Sequence, residues 1–222
     1  MRTSLIYSTL IIFSVALVSP SLQAAFSGTL CKSELYECHK VKKGETWESL
    51  FPDEEHRLFV KKINRMNIQI HPGMIIAIPK DTDIEPAEFM GYAPFPQQIP
   101  ALGEELIKVD LSDLAWAAYN PDGSLVRWGP ISGGKRNSTI TGTYTFYRKQ
   151  GKGCVSSKYP KPRGGAPMPY CMHFKGGYAM HGSPVVPGYH ASHGCVRMFT
   201  DDAYWLNSDF VDKGSTKVQI SK

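Results

Sequence analysis

Beyond its first two dozen positions, the 222-residue chain has no apolar stretch of spanning length, no Cys-x-x-Cys pair, no low-complexity tract and no internal repeat. The first absence excludes a multi-span membrane protein. The second removes the commonest zinc knuckle, and the last two exclude fibrous and solenoid architectures. A strong charge excess is also missing. Twenty-five Lys and Arg against 20 Asp and Glu leave +5, which suits an anionic surface or polymer but is too weak and too evenly spread to argue for nucleic acid. What is present is a globular composition, 42% hydrophobic and 20% charged, able to bury a core. Twenty Gly and 16 Pro favour loops and short strands over a helical bundle. The length accommodates one ordinary domain and a small module.

Residues 1–24 read as a secretory signal peptide: a charge at Arg2, an apolar run from Leu5 to Val18, then Pro20 and small residues ending at Ala24. A retained anchor is the alternative. Export to an oxidising space such as the periplasm makes the cysteines informative. There are five, Cys31, Cys38, Cys154, Cys171 and Cys195, so one is left over when the others pair. Cys31 with Cys38 and Cys154 with Cys171 are the simplest local pairs, and they leave Cys195 as a free thiol.

Residues 39–80 spell a small βααβ module. A short edge at His39–Val41 precedes a Gly turn, Thr46 caps a helix beginning at Trp47, and a second helix over Glu55–Met66 sets Leu58, Phe59, Ile63 and Met66 on one face. His71-Pro72-Gly73 turns the chain into a strand, Met74–Ile78, stopped by Pro79. The residues KVKKGETWESL…INRMN…HPGMIIAIP resemble a LysM domain, with an acidic insertion at Phe51–Arg57 as the departure. The resemblance implies binding of N-acetylglucosamine polymers at Gly44–Trp47 and Asn67–Gly73; a module that serves packing alone is the other reading.

Residues 81–103, with Pro86, Pro94, Pro96 and Pro100, read as an extended linker that Tyr92 and Phe95 pack against a neighbour. Residues 104–222 read as mainly β, a sandwich or barrel with one late helix. Short strands at ELIKVDL, LAWAAYN, SLVRWGPIS and GTYTFYR are followed by strands near Pro169–Phe174 and Gly177–Met180. A helix over Asp201–Val211 and a strand at Thr216–Ile220 close the chain.

The chemistry concentrates in AMHGSPVVPGYHASHGCVRM, residues 179–198. A thiol beside an imidazole is a nucleophile–base pair, and consecutive N–H groups around Gly194 suit a developing oxyanion. His181, His190, His193 and Cys195 also offer zinc ligands, but His193 and Cys195, one residue apart, make an awkward pair. Packing is the third reading. His181-Gly182 followed by SHGCVRM resembles the signature of YkuD-type L,D-transpeptidases, with IKVDL, ISGGK…TGTY, Asp202-Ala203 and a final Gly-x-x-x-Val strand in support. Ile140 stands where proline is common, and the segment from His181 to Ser192 is short.

This resemblance implies Cys195 as nucleophile and His181 as general base. It implies Ser192, His193 and Gly194 as the nucleophile turn, and Arg197, Tyr170 and Tyr189 as substrate contacts. It implies peptidoglycan stem peptides and glycan strands as partners, an amine on a second stem or an envelope protein as acceptor, and no metal or cofactor. A water-using L,D-carboxypeptidase, a non-catalytic wall-binding protein and an ordinary cysteine peptidase are the rival readings. For the last, no Asp or Asn is identifiable as an orienting third member.

Overall fold

The computed structural model describes residues 26–81 and 86–222, so the signal-peptide expectation for residues 1–24 lies outside the described residues. The described residues open with a single helical turn α1 (Ser27–Leu30). The chain continues through β1 (Tyr36–Lys40), α2 (Trp47–Leu50), α3 (Glu54–Ile63) and β2 (Ile75–Pro79), with β1 and β2 paired antiparallel. Local chemistry explains each boundary. Thr46 and Ser49 form a reciprocal capping box at α2, and Asp53 caps α3 by accepting from the His56 N–H. The α3 face that packs inward carries Phe59, Val60 and Ile63, continued by Met66, whereas Leu58 is 42% exposed and lies off that face. Disulfides join Cys31 to Cys38 and Cys154 to Cys171, leaving Cys195 free.

From Leu106 onward the chain builds one nine-stranded sheet. Its strands are β3 (Leu106–Asp110), β4 (Ala115–Tyr119), β5 (Leu125–Ser132), β6 (Gly142–Thr145), β7 (Arg148–Lys149), β8 (Met172–Lys175), β9 (Tyr178–Gly182), β10 (Val196–Met198) and β11 (Lys217–Ser221). The spatial order is β6-β11-β3-β4-β5-β10-β9-β8-β7. Tyr144 on β6 and Phe174 on β8 approach to 5.4 Å between ring centroids, so the sheet curls its ends toward each other around one core. The late helix is α4 (Thr200–Trp205), which widens to a π-helical turn at Leu206–Phe210. Among the described residues no helix is long and apolar enough to cross a membrane.

All five residues of β4 are buried, and their alternation divides two cores. Trp116 and Ala118 face the domain core with Ile107, Val109 and Met198. Ala117 and Tyr119 face the opposite way, into a core completed by Trp47, Phe59, Ile63 and Trp128. The βααβ module therefore covers the outer face of the sheet. A strand buried on both faces explains why AWAAY shows no polar alternation.

The segment expected as an extended linker is different in form. Pro86–Tyr92 is a 3₁₀ helix whose Phe89 stacks on Phe59 at 4.4 Å, and the Phe89 carbonyl accepts from Trp128 Nε1 at 2.8 Å. Tyr92 and Phe95 do pack into this core, as expected. Apolar burial on both sides outweighs the extended preference of its prolines.

Asp202 adds a polar tie across the same boundary. It is 1% exposed, and its Oδ1 takes Arg127 Nη2 at 2.6 Å from β5 and Lys62 Nζ at 3.4 Å from α3. Asp202 is the buried member, while Arg127 and Lys62 reach solvent, so removing the cation strands the carboxylate. Arg127→Ala is therefore expected to cost about 3 kcal/mol, read as a lower urea midpoint in a single tryptophan-fluorescence transition.

Candidate active site

Two short strands set the geometry. β9 and β10 run parallel, with Met180 opposite Val196 and His181 opposite Arg197. Side chains alternate between faces along a strand. Met180, Val196 and Met198 point into the domain core, so His181, Cys195 and Arg197 share the other face, Cys195 one step diagonal to His181. The register thus sets the thiol, the imidazole and the guanidinium singled out in the sequence on one face of two neighbouring strands, with the Cys195 thiol donating to the Gly177 carbonyl at 3.6 Å.

His181 is buried, and its Nδ1 lies 2.8 Å from the Gly182 carbonyl. A carbonyl only accepts, so Nδ1 carries the proton and Nε2 is left as the basic nitrogen. The partner that holds this imidazole is thus a backbone carbonyl and not an Asp or Asn side chain, which residue types along a sequence cannot reveal. Burial pulls the His181 pKa down to about 4, opposed by the Gly182 hydrogen bond and reinforced by the nearby Arg197 charge. Burial likewise raises the Cys195 thiol above its ordinary value, while the Ala179 N–H and the Arg197 guanidinium pull the other way. At neutral pH the pair rests as thiol and neutral imidazole.

The turn that presents Cys195 is held mostly by the end of β5. Ala191 N–H and Ser192 N–H both donate to the Gly133 carbonyl at 3.0 Å, and Lys135 N–H donates to the Ser192 carbonyl at 3.0 Å. Gly134 N–H donates to Thr139 Oγ1 at 2.7 Å, and that hydroxyl donates to the Gly194 carbonyl at 2.9 Å. Ser132 Oγ donates to the Tyr189 carbonyl at 2.7 Å. Two glycines are obligatory. A Cβ on Gly134 would meet Gly194 Cα at 2.9 Å, and Gly194, at φ +139°, would drive one into the Tyr178 ring at 2.8 Å. The ISGGK…TGTY segment was visible in the sequence, but Thr139 as its clasp was not.

The remaining expected residues are placed unevenly. Ser192 is buried, accepting from Gly194 N–H at 3.0 Å and donating to the Cys195 carbonyl at 2.6 Å. His193 is exposed and stacks on Tyr159 at 4.2 Å, away from metal chemistry; among the described residues no cluster of His, Cys, Asp or Glu could hold a metal ion. Tyr159 belongs to a loop between Cys154 and Cys171, which thereby lies against the nucleophile turn. Tyr170 packs edge-on against Tyr204 and helps line a surface cavity of about 380 Å³ with Lys152, Thr200 and Asp201. Neither Cys195 nor His181 lines that cavity, although its Pro169 accepts from Gly182 N–H at 2.8 Å. Tyr189 contributes its backbone carbonyl to the Ser132 contact.

Charge is less evenly spread than the overall balance suggests. Between Asp122 and Asp201 the sequence holds eleven Lys and Arg and not one Asp or Glu. Lys135, Arg136, Lys158, Lys161 and Arg163 are exposed on the two loops that adjoin the Ser192–Cys195 turn.

A family model described as the YkuD L,D-transpeptidase catalytic domain matches residues 104–220. No curated protein matches the sequence. Among solved structures, an L,D-transpeptidase from Xylanimonas cellulosilytica is similar at a TM-score of 0.53 and 22% identity, covering 75% of this chain and 79% of that one. An L,D-transpeptidase from Mycobacterium smegmatis is similar at 0.46 and 24% identity, over 54% of this chain and 59% of that one. The first likeness shows a shared fold over most of both chains.

The depressed His181 pKa has a measurable consequence. Its folded value of about 4 lies below the ordinary 6.5, so the unfolded chain binds the extra proton first. The associated stability is present above pH 6.5 and is lost as pH falls through about 4. NMR titration of the His181 ring is expected to show a midpoint near 4, with Cys195 alkylation slow at pH 7 and rising above pH 9.

Proposed function

Because the chain belongs to the YkuD family of L,D-transpeptidase catalytic domains, we propose that it is an exported enzyme that acylates Cys195 with a peptidoglycan tetrapeptide stem. The carrying observation is the free thiol of Cys195 on one face with His181, whose Nε2 is left basic by the Gly182 carbonyl. Cys195 Sγ attacks the carbonyl that joins the stem's third residue to the terminal D-alanine, while its proton passes to His181 Nε2. A resting neutral pair suits this order, since the charge separates only as the S–C bond forms.

Gly194 N–H is committed to Ser192 Oγ, so the oxyanion falls to the His193 and Cys195 N–H groups. Collapse breaks the C–N bond, His181 returns the proton to the departing D-alanine amine, and a thioester remains on Cys195. An amine from a second stem or an envelope protein then attacks the thioester, giving up a proton to His181. The thiol is regenerated and a new amide is made. Water in that position gives the carboxypeptidase outcome.

Arg197 beside the thiol, and the acid-free segment around the site, suit a substrate bearing carboxylates. The two disulfides suit an oxidising compartment. In the LysM-like module Trp47 is fully buried with Nε1 on the Ile68 carbonyl, so it provides no platform for a sugar. Glycan contact falls to the exposed Lys43–Gly44 and His71–Gly73 edges.

The test is intact-mass spectrometry after incubation with a carbapenem, whose strained carbonyl mimics the acyl donor. One adduct per chain is expected in the native protein and none in Cys195→Ala. A folded, reduced native protein without an adduct would instead favour a wall-binding role.

A further inference from the structure

The module reaches the catalytic face through four consecutive residues, Asn64-Arg65-Met66-Asn67, at the end of α3. Asn64 is buried and ties the module to itself: its Nδ2 donates to the Val60 and Ala77 carbonyls at 2.8 and 2.7 Å, and its Oδ1 accepts from Ala77 N–H at 2.7 Å. Arg65 turns the chain with φ +56° and is 3% exposed. Its guanidinium lies between the rings of Phe26 and Trp128 at 4.7 and 4.9 Å and donates from Nε to the Asp113 carbonyl at 3.0 Å. Met66 pairs with Pro187 as an isolated bridge. Each of these fixes where residue 67 must lie.

Asn67 then makes three hydrogen bonds to the segment between the imidazole and the thiol. Its Nδ2 donates to the Ser183 carbonyl at 2.8 Å, its Oδ1 accepts from Val186 N–H at 2.8 Å, and its own N–H donates to the Val186 carbonyl at 2.9 Å. Ser183 is the residue whose N–H, donating to the Met198 carbonyl at 2.9 Å, completes the Gly182–Ser183 peptide. The carbonyl of that same peptide holds His181 Nδ1. Peptide planarity links the two ends. With Met198 on one side and Asn67 on the other, the Gly182 carbonyl has one direction in which to point.

We propose that Asn67 is a positioning residue for the reaction, holding Ser183 and, through it, the Gly182 carbonyl that orients His181. The βααβ module thereby sets the geometry of the base from outside the catalytic domain. This assignment rests on the reading of His181 as general base given above. It asks nothing of glycan binding. Hydrogen-bond partners that orient metal-ligating imidazoles cost about 10–100-fold when lost, and misplacements of about 1 Å at a reacting centre cost on the order of 100-fold.

Two substitutions test it. Asn67→Ala removes both side-chain bonds. Asn67→Leu is uncharged and close to asparagine in size, so it removes the same bonds without leaving a cavity or adding a charge that would itself move the His181 titration. Both are expected to slow carbapenem acylation of Cys195 at least 10-fold while the concentration for half-saturation stays within twofold. Both should also move the His181 ring titration upward toward 6.5, as the freed loop admits water.

The groups facing His181 are Arg197 on β10, His173 on β8 and Cys195, and neither variant alters them. A merely structural role would lower the melting temperature and leave the ring titration in place. Acylation at the native rate in both variants overturns the assignment. A native protein that is not acylated at all overturns the reading beneath it. The His181 titration still decides in that case, because an unmoved midpoint in Asn67→Leu sinks the positioning role by itself.

Discussion

The parallel register between β9 and β10 is the constraint on which the rest depends. A strand has a side-chain period of two, so burying Met180, Val196 and Met198 in the core forces His181, Cys195 and Arg197 onto the opposite face. A slip of β10 by one residue would bury the thiol and Arg197 and expose Val196 and Met198. Each buried side chain of this size is worth about 1.5–3 kcal/mol, so hydrophobic packing, rather than any contact between reactive groups, specifies the dyad. Such short strands cannot hold register alone. They borrow it from β5, which pairs with β10 through Ser132 and Ile131 and whose continuation, Gly133 and Gly134, grips the nucleophile turn.

The electrostatics follow from the same burial. Desolvation opposes charge on both partners, lowering the imidazole and raising the thiol. A thiolate–imidazolium pair would be more nucleophilic at rest, but it would also be more open to oxidation. A neutral pair keeps the thiol in its less reactive form. The sparse acid content between Asp122 and Asp201 reinforces the lowering of the imidazole and opposes the raising of the thiol, and it places no carboxylate counter-charge on His181.

Much of this was legible beforehand, for identifiable reasons. The cap at Thr46, the turn at His71-Pro72-Gly73 and the strands near 106–110, 115–119 and 125–132 follow from local patterns that the tertiary structure reinforces. The free Cys195 followed from counting. What escaped was everything carried by backbone or by distance. The Gly182 carbonyl has no residue-type signature, and Thr139 is ordinary until its hydroxyl is seen bridging Gly134 and Gly194. The π-helical widening at Leu206–Phe210 leaves no mark in an amphipathic pattern. Residues 81–103 misled in form because proline content reports local stiffness, whereas Phe89, Tyr92 and Phe95 are placed by a core assembled from distant segments.

That core changes what the small module means. A domain tethered by a flexible linker has its own closed core, and its loss leaves its neighbour intact. Here Ala117, Tyr119 and Trp128 on the outer face of the sheet are covered by Trp47, Phe59 and Ile63, and the sheet's outer face is apolar because the module is there to cover it. Arg65 is the sharpest sign of this dependence: a cation held with 3% exposure between two rings, one from each side of the boundary, is tolerable only if those rings never part. Resemblance at the level of a βααβ motif therefore understates its physical role. The same residues that end α3 also terminate in Asn67 on the catalytic loop, so the piece of chain that closes the second core is continuous with the piece that shapes the first. Relative motion of the two parts would cost both at once, because the module sits on the same outer face of the sheet that carries His181, Cys195 and Arg197.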